Sequence, residues 1–497
     1  MTEWEDATIH RLSGTQRRRR RALAITIKLA MALALVVAGG RGTLQAAEDT
    51  PSGSVDATVE AAPALPEEAP PVDNPPPVKG NEEGAVPRDE RKERYLYLEA
   101  YWERGLNYEI RQRILQVYPE RRHEYGFASD ALLSGRIGFR IAADAAAYVE
   151  TGGLDNVHDD IDLRRAFVYF TGNFFLVYPA SFKVEIGTIT DSVYIQSAWV
   201  RWRQLPYVGT FKIGQFDAPF GLEALGSSND LTFMESASPS QAFAPGTKFG
   251  LQLADMVLQE KATWAVGWFA DTQETDVGDA SNSLARVIGR LTYVPDEAGT
   301  DNNPDRRLLH LGLGLTYTFA ANESVRYQSR PESFLAPELV DTKEIDANSA
   351  FVLGTEAAWV RGPLSLQAEA SVAHAAGAPG SDPTFWGLYG YASYFLTGET
   401  RPYSREGATF GHVEPRNPLW LFSPGGWGAW EIAGRYSHID LDDGDFDGGR
   451  MDGLTGGLNW YWNRYIRWQF NYQWMIINDG LDDGRLHVFQ TRLQLVI

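Results

Sequence analysis

The composition of this chain excludes several classes of protein. The chain has 497 residues, with 24 Phe, 22 Tyr, 15 Trp and 48 Gly, and its mean hydropathy is −0.29. It has no cysteine, which excludes disulfides, thiol catalysis and cysteine-type zinc sites. Its formal net charge of −20 argues against a nucleic-acid partner.

Residues 1–46 have the pattern of an export signal peptide. The arginine run Arg17–Arg21 precedes the apolar run Leu29–Ala38, and Ala46 and Ala47 are small residues of the kind found at cleavage points. An uncleaved signal anchor is the alternative, which the shortness of the apolar run disfavours. The sequence therefore predicts an exported bacterial protein.

Two further segments precede the regular part of the chain. Residues 47–94 are rich in Pro, Ala and Glu, a composition that cannot bury enough apolar surface to fold. We therefore expect a disordered N-terminal linker in the periplasm. Residues 95–129 alternate poorly, and we treat them as a pre-barrel segment of uncertain structure without an assigned function.

Apolar and polar residues alternate regularly from about residue 130 to the C-terminus. Alternation with period two is typical of β-strands that have one apolar and one polar face. The sequence predicts sixteen strands, of which the first begins near residue 131 and the others are Ile161–Phe170, Ala180–Ile189, Ser192–Arg203, Val208–Asp217, Thr247–Val257, Lys261–Ala270, Ser283–Val294, Arg307–Phe319, Phe351–Arg361, Leu364–His374, Thr384–Leu396, Gly426–Leu441, Met451–Trp462, Tyr465–Ile476 and His487–Ile497.

The strand Tyr465–Ile476 indicates what surrounds this sheet. Its apolar face is large and aromatic, and its other face is polar. The apolar face carries Ile466, Trp468, Phe470, Tyr472, Trp474 and Ile476, and the polar face carries Arg467, Gln469, Asn471 and Gln473. Lipid satisfies no backbone hydrogen bond, so only a closed sheet can cross a membrane with such strands. The predicted fold class is an all-β, transmembrane antiparallel β-barrel of about 16 strands over residues 130–497; a soluble β-rich binding or adhesion protein is the alternative.

An even strand count places both ends of the barrel in the periplasm. Short turns at Pro206, at Arg361–Pro363 and at Asn463–Arg464 then lie on the periplasmic side. The segment Thr397–Gly425 falls on the same side, but it is far too long for a turn. Either this segment folds into the pore or the strand count fails there.

The alternation stops for a long stretch after the fifth predicted strand. Residues 218–246 do not alternate and are too structured for a floppy loop tip. We expect this constriction loop to fold into the lumen and narrow it. Its candidate acidic residues, counting the end of the preceding strand, are Asp217, Glu223, Asp230 and Glu235.

Several motifs in this part of the chain resemble those of a known family. The region Phe211–Leu253 contains GQF-x-APFGLE, SSNDLTFME and AFAPG. Further on come FLTGETRPY in Phe395–Tyr403, GGWGAWEIAGRYS in Gly425–Ser437 and LNWYWN in Leu458–Asn463. Together these motifs resemble the phosphate-selective porin O and P family of Gram-negative outer membranes.

The resemblance implies a sixteen-stranded, homotrimeric outer-membrane porin that passes small anions, with phosphate and polyphosphate as candidate substrates. Outer-membrane lipid and lipopolysaccharide would then be its surroundings. Two positions depart from the family pattern, because Asp217 and Ser236 stand where the family tends to be basic. Lys212, on the strand that leads to Asp217, could pair with that carboxylate. We therefore expect a weakly anion-selective pore with poor phosphate affinity, and a general diffusion porin is the alternative function.

Strand phase gives an independent estimate of the charge in the pore. On the less apolar faces the acids are Glu185, Glu356, Glu369 and Glu431, and two arginine pairs, Arg164/Arg165 and Arg201/Arg203, are in ambiguous phase and are left out. A cationic lumen favours anions over cations. The predicted anion pathway consists of Arg136, Arg140, Lys183, Lys212, Lys248, Arg286, Arg290, Arg435, Arg467 and Arg492.

The sequence contains little that indicates other chemistry. Asp443, Asp445, Asp447 and Gly448 match the start of a calcium loop, but Leu454 stands where a closing glutamate would be needed. We interpret these aspartates as a solvated loop tip. No local catalytic motif is present, so the sequence predicts neither an enzyme nor a metal or cofactor site.

Overall fold

The computed structural model describes most of the chain from residue 106 onward. The described residues are 106–111, 114–118, 131–151, 157–174, 178–189, 192–270, 285–301, 303–420, 425–478 and 483–497. The predicted signal peptide and linker lie outside them, as does most of the pre-barrel segment. Within the described part, a short hairpin of β1 (Leu106–Arg111) and β2 (Ile114–Tyr118) pairs with the first barrel strand.

The core of the fold is a closed antiparallel barrel of 16 strands. Its first nine strands are β3 (Ala131–Thr151), β4 (Asp160–Phe174), β5 (Ala180–Ile189), β6 (Ser192–Leu205), β7 (Gly209–Asp217), β8 (Thr247–Val257), β9 (Ala262–Ala270), β10 (Ala285–Ala298) and β11 (Arg307–Val325). The remaining seven are β14 (Ile345–Arg361), β15 (Leu364–Ala376), β16 (Thr384–Phe395), β19 (Ala429–Asp443), β20 (Phe446–Tyr461), β21 (Ile466–Asn478) and β22 (Asp483–Val496).

The last strand closes the barrel on the first. β22 pairs with β3 from Arg485 opposite Thr151 to Val496 opposite Arg140. The terminal Ile497 completes the seam, because its backbone exchanges hydrogen bonds of 2.8 and 2.9 Å with Phe139. The prediction of a sixteen-stranded transmembrane barrel is confirmed.

The outer face of the barrel is apolar, as the alternation predicted. Side chains such as Leu311, Leu313, Tyr472, Ile476 and Phe489 are exposed there, while their neighbours along each strand face the lumen. Near one end Trp460 stacks with Trp430 and with Trp468, at centroid distances of 4.8 and 6.4 Å. Aromatic rings at this level suit the membrane interface.

Two β-bulges change the phase of the wall at the places where the sequence was ambiguous. In β4 the register slips opposite Ala142 and Ala143, so that Arg164 is an extra residue and both Arg164 and Arg165 point inward. In β6 the extra residue is Gln196. A bulge of this kind re-aims the side chains beyond it.

Three segments between strands fold into the lumen. The constriction segment, residues 218–246, contains helices α1 (Leu222–Leu225) and α2 (Ser238–Phe243). The outer hairpin segment, residues 326–344, contains β12 (Gln328–Ser329) and β13 (Val340–Asp341). The periplasmic segment, residues 397–425 except 421–424, contains β17 (Tyr403–Ser404) and β18 (Thr409–Phe410). Neither described helix is long or apolar enough to span a membrane.

The periplasmic segment resolves the alternative that the sequence left open. It follows β16 and precedes β19, and these two strands pair directly with each other in the sheet. The strand count therefore stands, and the segment folds into the pore. His412 on this segment lies 2.9 Å from Asp230 of the constriction segment, from Nδ1 to Oδ1, so the two segments meet inside the barrel.

Candidate functional site

The lumen contains a cavity of about 1220 Å³ on one side of the barrel. The wall from β3 to β9, which we call the open half, forms one side of the cavity, and the constriction and periplasmic segments form the other. Eight cationic and five acidic side chains line it. They are Arg140, Arg164, Arg165, Lys183, Arg201, Arg203, Lys212 and Arg290, with Glu185, Asp217, Asp230, Asp255 and Glu406.

Two of the predicted pathway residues, Arg140 and Lys183, form a connected group with Glu185 on β3 and β5. Arg140 Nε and Lys183 Nζ each lie 2.8 Å from the carboxylate of Glu185, so that two cations share one acid. Arg140 also donates to Ser228 of the constriction segment at 3.2 Å and lies over the ring of Phe167. The group therefore carries an excess of positive charge beside the constriction.

The two arginines on β4 have different surroundings: Arg164 binds the constriction segment, and Arg165 lines the cavity. Arg164 forms a bidentate ion pair with Glu235, at 2.9 and 3.1 Å. Arg165 is buried, with 8% of its surface exposed, and makes no ion pair among the described residues. Its Nη1 has no hydrogen-bond partner in that part of the chain. A buried guanidinium with an unused donor is costly unless something accepts from it.

Lys212 and Asp217 lie on the same strand, β7, but do not form the ion pair that the sequence allowed. The ammonium of Lys212 lies 3.9 Å from the ring centroid of Phe216 and 4.7 Å from that of Trp199. Asp217 is exposed and accepts a hydrogen bond from Thr247. Lys212 and Asp217 therefore both line the cavity without forming an ion pair with each other.

Arg201 and Arg203 lie further along β6, near the periplasmic turn. Arg201 Nη1 is 3.0 Å from the carboxylate of Glu406 on the periplasmic segment, and Arg201 Nε donates to Ser181 at 3.3 Å. Across the sheet Arg201 pairs with Lys212 in register. Strand phase left both arginines out, but the bulge at Gln196 turns them toward the cavity.

The opposite wall, from β10 to β22, is the filled half, because inward segments pack against it. Arg435 on β19 is fully buried there. Its guanidinium donates to Glu223 at 3.2 Å, to the carbonyl oxygen of Glu235 at 3.1 Å and to Glu332 of the outer hairpin segment. Arg435 thus joins two inward segments to the wall.

Glu223 and Glu332 each accept further hydrogen bonds besides those from Arg435. Burial raises the pKa of Glu223, which also accepts a hydrogen bond of 3.0 Å from the backbone of Ala237. Glu332 has a φ of 54° and accepts from Ser238 at 3.1 Å and Thr455 at 3.0 Å. A residue other than glycine in the left-handed region is strained, and these contacts hold it there.

Arg492 and Arg467 have the same anchoring arrangement. Arg492 is fully buried and forms two hydrogen bonds of 2.7 and 2.6 Å to Asp144, with a third to Glu235 at 2.5 Å. Arg467 donates to the carbonyl oxygens of Asn229 and Thr232 at 3.3 and 3.2 Å. Both guanidiniums therefore contact the constriction segment and are covered by it.

Arg290 anchors the periplasmic segment to the wall in the same way. It pairs with Glu356 through two hydrogen bonds of 2.8 and 2.6 Å and donates to the carbonyl oxygens of Gly407 and Ala408 at 3.3 and 3.0 Å. The other predicted pathway residues are half-buried on the inward faces of their strands: Arg136 on β3, Lys248 on β8 and Arg286 on β10.

The acidic residues on the inward faces also have structural partners. Glu369 accepts from the backbone N–H groups of Leu222 and Glu223 at 2.8 and 2.7 Å, and Glu431 accepts from Asn459 and Tyr461 at 2.9 and 2.8 Å. The aspartates that resembled a calcium loop form a tight turn between β19 and β20, in which Asp443 pairs with Phe446. The described residues contain no group of side chains able to hold a metal ion.

Sequence reasoning missed a second set of residues that matter in the lumen. They are Arg164, Arg165, Arg201 and Arg203 on the wall, and Glu332, Arg401, Glu406 and His412 on the inward segments. A doubled arginine in the middle of an alternating strand was a signal for the bulge at Arg164. Nothing local predicted the partners of the inward segments, because most of those partners are distant in the sequence, as Arg201 and Glu406 are at 205 residues apart.

A closed lipid-facing barrel around a cavity rich in cations defines a channel-forming porin. The chain belongs to the family described as phosphate-selective porin O and P, whose sequence profile matches residues 136–497. It is therefore an outer-membrane porin of a Gram-negative bacterium, a kind of protein that is typically not an enzyme.

The chain is also similar to individual proteins. Porin O of Pseudomonas aeruginosa is 27% identical over 419 residues, which cover 74% of this chain and 89% of that protein. An uncharacterized protein of Caulobacter vibrioides is 28% identical over 334 residues, covering 63% of this chain and 64% of that one. Among solved structures, a loop L8 deletion mutant of the Vibrio cholerae outer membrane protein OmpT superposes with a TM-score of 0.46 at 8% identity, over 73% of this chain and 99% of that one.

Proposed function

We propose that this porin lets small anions diffuse passively across the outer membrane and binds oxyanions transiently at Arg140, Arg164 and Arg165. The observation that carries this proposal is Arg165, a buried guanidinium with an unused donor in the wall of the cavity. Arg140 and Lys183 line the same cavity and share a single carboxylate, Glu185. Phosphate is the candidate substrate, since its oxygens accept several hydrogen bonds at once and fit a guanidinium fork.

The arrangement of charge supports anion preference without tight binding. Cations outnumber acids along the cavity, which lowers the barrier for an entering anion. Asp217 is exposed in the same cavity and opposes a phosphate. At about 6 Å and an effective dielectric near 20, two unit charges repel by roughly 3 kcal/mol before salt screening. We therefore propose a weakly anion-selective pore with modest phosphate affinity.

A general diffusion porin is the second candidate function. The five carboxylates along the cavity favour it, because each of them can neutralise one of the cations. The two candidates differ in phosphate binding, since a general porin would pass chloride current that phosphate does not block.

Further parts of this proposal come from the family resemblance. We propose that the protein assembles as a homotrimer, surrounded by outer-membrane lipid and lipopolysaccharide. Cross-linking in detergent, followed by electrophoresis without heating, tests the oligomeric state.

The experiment that tests the anion site is a planar-bilayer measurement on Arg165→Met. Reversal potential under a KCl gradient reports selectivity, and titration with inorganic phosphate reports block of the chloride current. We expect the variant to lose anion selectivity and to need about tenfold more phosphate for half-block, because a hydrogen bond to a charged group contributes about 1.5–3 kcal/mol.

Two further variants control this measurement. Arg165→Lys keeps the charge and should preserve most of the selectivity while weakening phosphate block. Lys261→Gln removes one positive charge from an exposed turn outside the cavity and should change neither quantity. Unchanged reversal potential and unchanged block in Arg165→Met would refute the proposed site.

A further inference from the structure

The hairpin at the tip of the periplasmic segment bridges the lumen. Strands β17 and β18 pair at Tyr403–Phe410 and Ser404–Thr409, and the chain turns between them at residues 405–408. Arg290 on β10 holds one side of this turn, and Glu406 reaches Arg201 on β6 on the other. β6 and β10 are four strands apart, which is about 19 Å along the wall at about 4.8 Å per strand.

The two ends of this bridge differ in burial. On the β10 side, Arg290, Glu356 and His310 are buried together, and His310 Nδ1 lies 2.7 Å from the hydroxyl oxygen of Tyr403. Arg405, next to Glu406, pairs with Glu297 on the same side. This end is held by the buried group of Arg290, Glu356 and His310 and by the partly exposed Arg405–Glu297 pair.

The β6 end is a single, partly exposed ion pair. The side chains of Arg201 and Glu406 are 27% and 48% exposed, and their atoms are 3.0 Å apart. Ion pairs with this exposure are weak and are screened by salt. Arg203 and Lys212 also line the cavity, and Lys212 lies opposite Arg201 in the sheet.

We propose that Glu406 is a tethered counter-ion of the permeation pathway. Its carboxylate occupies Arg201 when no anion is present, and an anion that passes the periplasmic end of the cavity displaces it. Glu406 is thus a specificity-determining residue, since only anions that compete with a carboxylate for a guanidinium use this position. This inference rests on the proposed anion-conducting function of the cavity.

The geometry explains why displacement leaves the hairpin in place. The carbonyl oxygens of Gly407 and Ala408 remain bound to Arg290 whether or not Glu406 contacts Arg201. Only the glutamate side chain has to move, and its exposure gives it room to do so. The hairpin therefore stays bound to Arg290 while its contact with Arg201 is broken.

The test is Glu406→Gln in planar bilayers, with Glu260→Gln as the matched control. Glu260 is an exposed carboxylate on the turn after β8, outside the cavity. Glu406→Gln should raise anion selectivity and lower the half-blocking concentration of inorganic phosphate by about two- to fivefold, which corresponds to the strength of an exposed ion pair. Glu260→Gln should leave both unchanged.

Two more variants make the test specific. In an Arg201→Gln background the effect of Glu406→Gln should shrink to less than half, because its partner is gone. Glu406→Lys should raise anion selectivity further than Glu406→Gln. If Glu406→Gln matched Glu260→Gln, or if its effect were undiminished in the Arg201→Gln background, the tethered counter-ion would be refuted.

Failure of this inference is distinguishable from failure of the proposed function. If Arg165→Met shifts selectivity and Glu406→Gln does not, the anion site stands and the counter-ion is refuted. If Glu406→Gln acts as expected and Arg165→Met has no effect, the counter-ion stands and the oxyanion site at Arg165 is refuted.

Discussion

The two halves of the lumen use the same residue types for opposite purposes. In the filled half, Arg435 and Arg492 have no exposed side-chain surface and bind carboxylates of the inward segments. In the open half, Lys183 and Arg201 retain 31% and 27% exposure beside the cavity. The side chains of both sets face inward, so burial by the segments separates anchors from pathway residues.

This comparison also explains how an acidic protein builds a cationic cavity. The carboxylates of the filled half are used in anchoring contacts: Glu369 accepts from the backbone of Leu222 in the constriction segment, and Glu356 pairs with Arg290, which binds the periplasmic segment. Carboxylates that make such contacts do not line the cavity. The remaining charge along the open half is positive in excess.

The largest effect is expected from breaking an anchor of the filled half. Arg492→Met leaves Asp144 buried without its partner and frees Glu235 from one of its two arginines. Removing one member of a buried ion pair costs about 3–5 kcal/mol. Urea unfolding of the protein in detergent should show this loss. Lys212→Gln, in the open half, should cost less than about 1 kcal/mol, and equal losses in both variants would contradict the distinction between the halves.

A charge reversal in the open half should change selectivity and leave stability nearly unchanged. Asp217→Lys replaces an exposed carboxylate beside the constriction segment with a cation. We expect higher anion selectivity and stronger block of chloride current by phosphate, while Lys212→Ala should weaken both. Reversal potentials and phosphate titration measure these quantities. Unchanged values in Asp217→Lys would mean that other residues set the barrier.

A smaller effect is expected from loosening the fixed end of the bridge. Tyr403→Phe removes the contact of 2.7 Å between the tyrosine hydroxyl and His310. A single lost hydrogen bond costs about 1 kcal/mol, and the buried Arg290–Glu356 pair stays in place. Single-channel recordings should show larger current fluctuations with unchanged selectivity. A selectivity change as large as that of Glu406→Gln would show that the fixed end also contacts permeating anions.

The smallest effect concerns an exposed pair of the outer hairpin segment. Hydrogen bonds from Arg326, opposed by partial burial, hold the pKa of Asp341 below its usual range. A depressed carboxyl pKa adds stability above the ordinary pKa near 4, and this stability is lost as the pH falls further. Because solvent screens the pair, we expect about 1 kcal/mol or less.

Thermal unfolding of Asp341→Asn and the unmutated protein should therefore differ most above about pH 5, and the difference should shrink progressively as the pH falls below the ordinary carboxyl pKa near 4. Arg450 also forms an exposed pair, with Asp440. A substitution at Arg450, measured over the same pH range, is the control. A difference that grew as the pH fell would contradict the assignment.

The sequence determined the barrel because lipid imposes a simple rule on every strand. Alternation of apolar and polar residues was enough to find all sixteen strands, and the even count placed the termini and short turns on one side. The non-alternating residues 218–246 were equally visible as an insertion. Each of these features depends on neighbours two residues apart, which a sequence displays directly.

Tertiary structure alone decided which charges face the pathway. The phase of a strand tells which side a residue faces, but not whether another segment covers it there. Arg492 and Lys212 both face inward, yet one is covered by the constriction segment and the other faces the cavity. The bulge at Arg164 and the contact of Glu406 with Arg201, 205 residues apart, likewise depend on packing between distant parts of the chain.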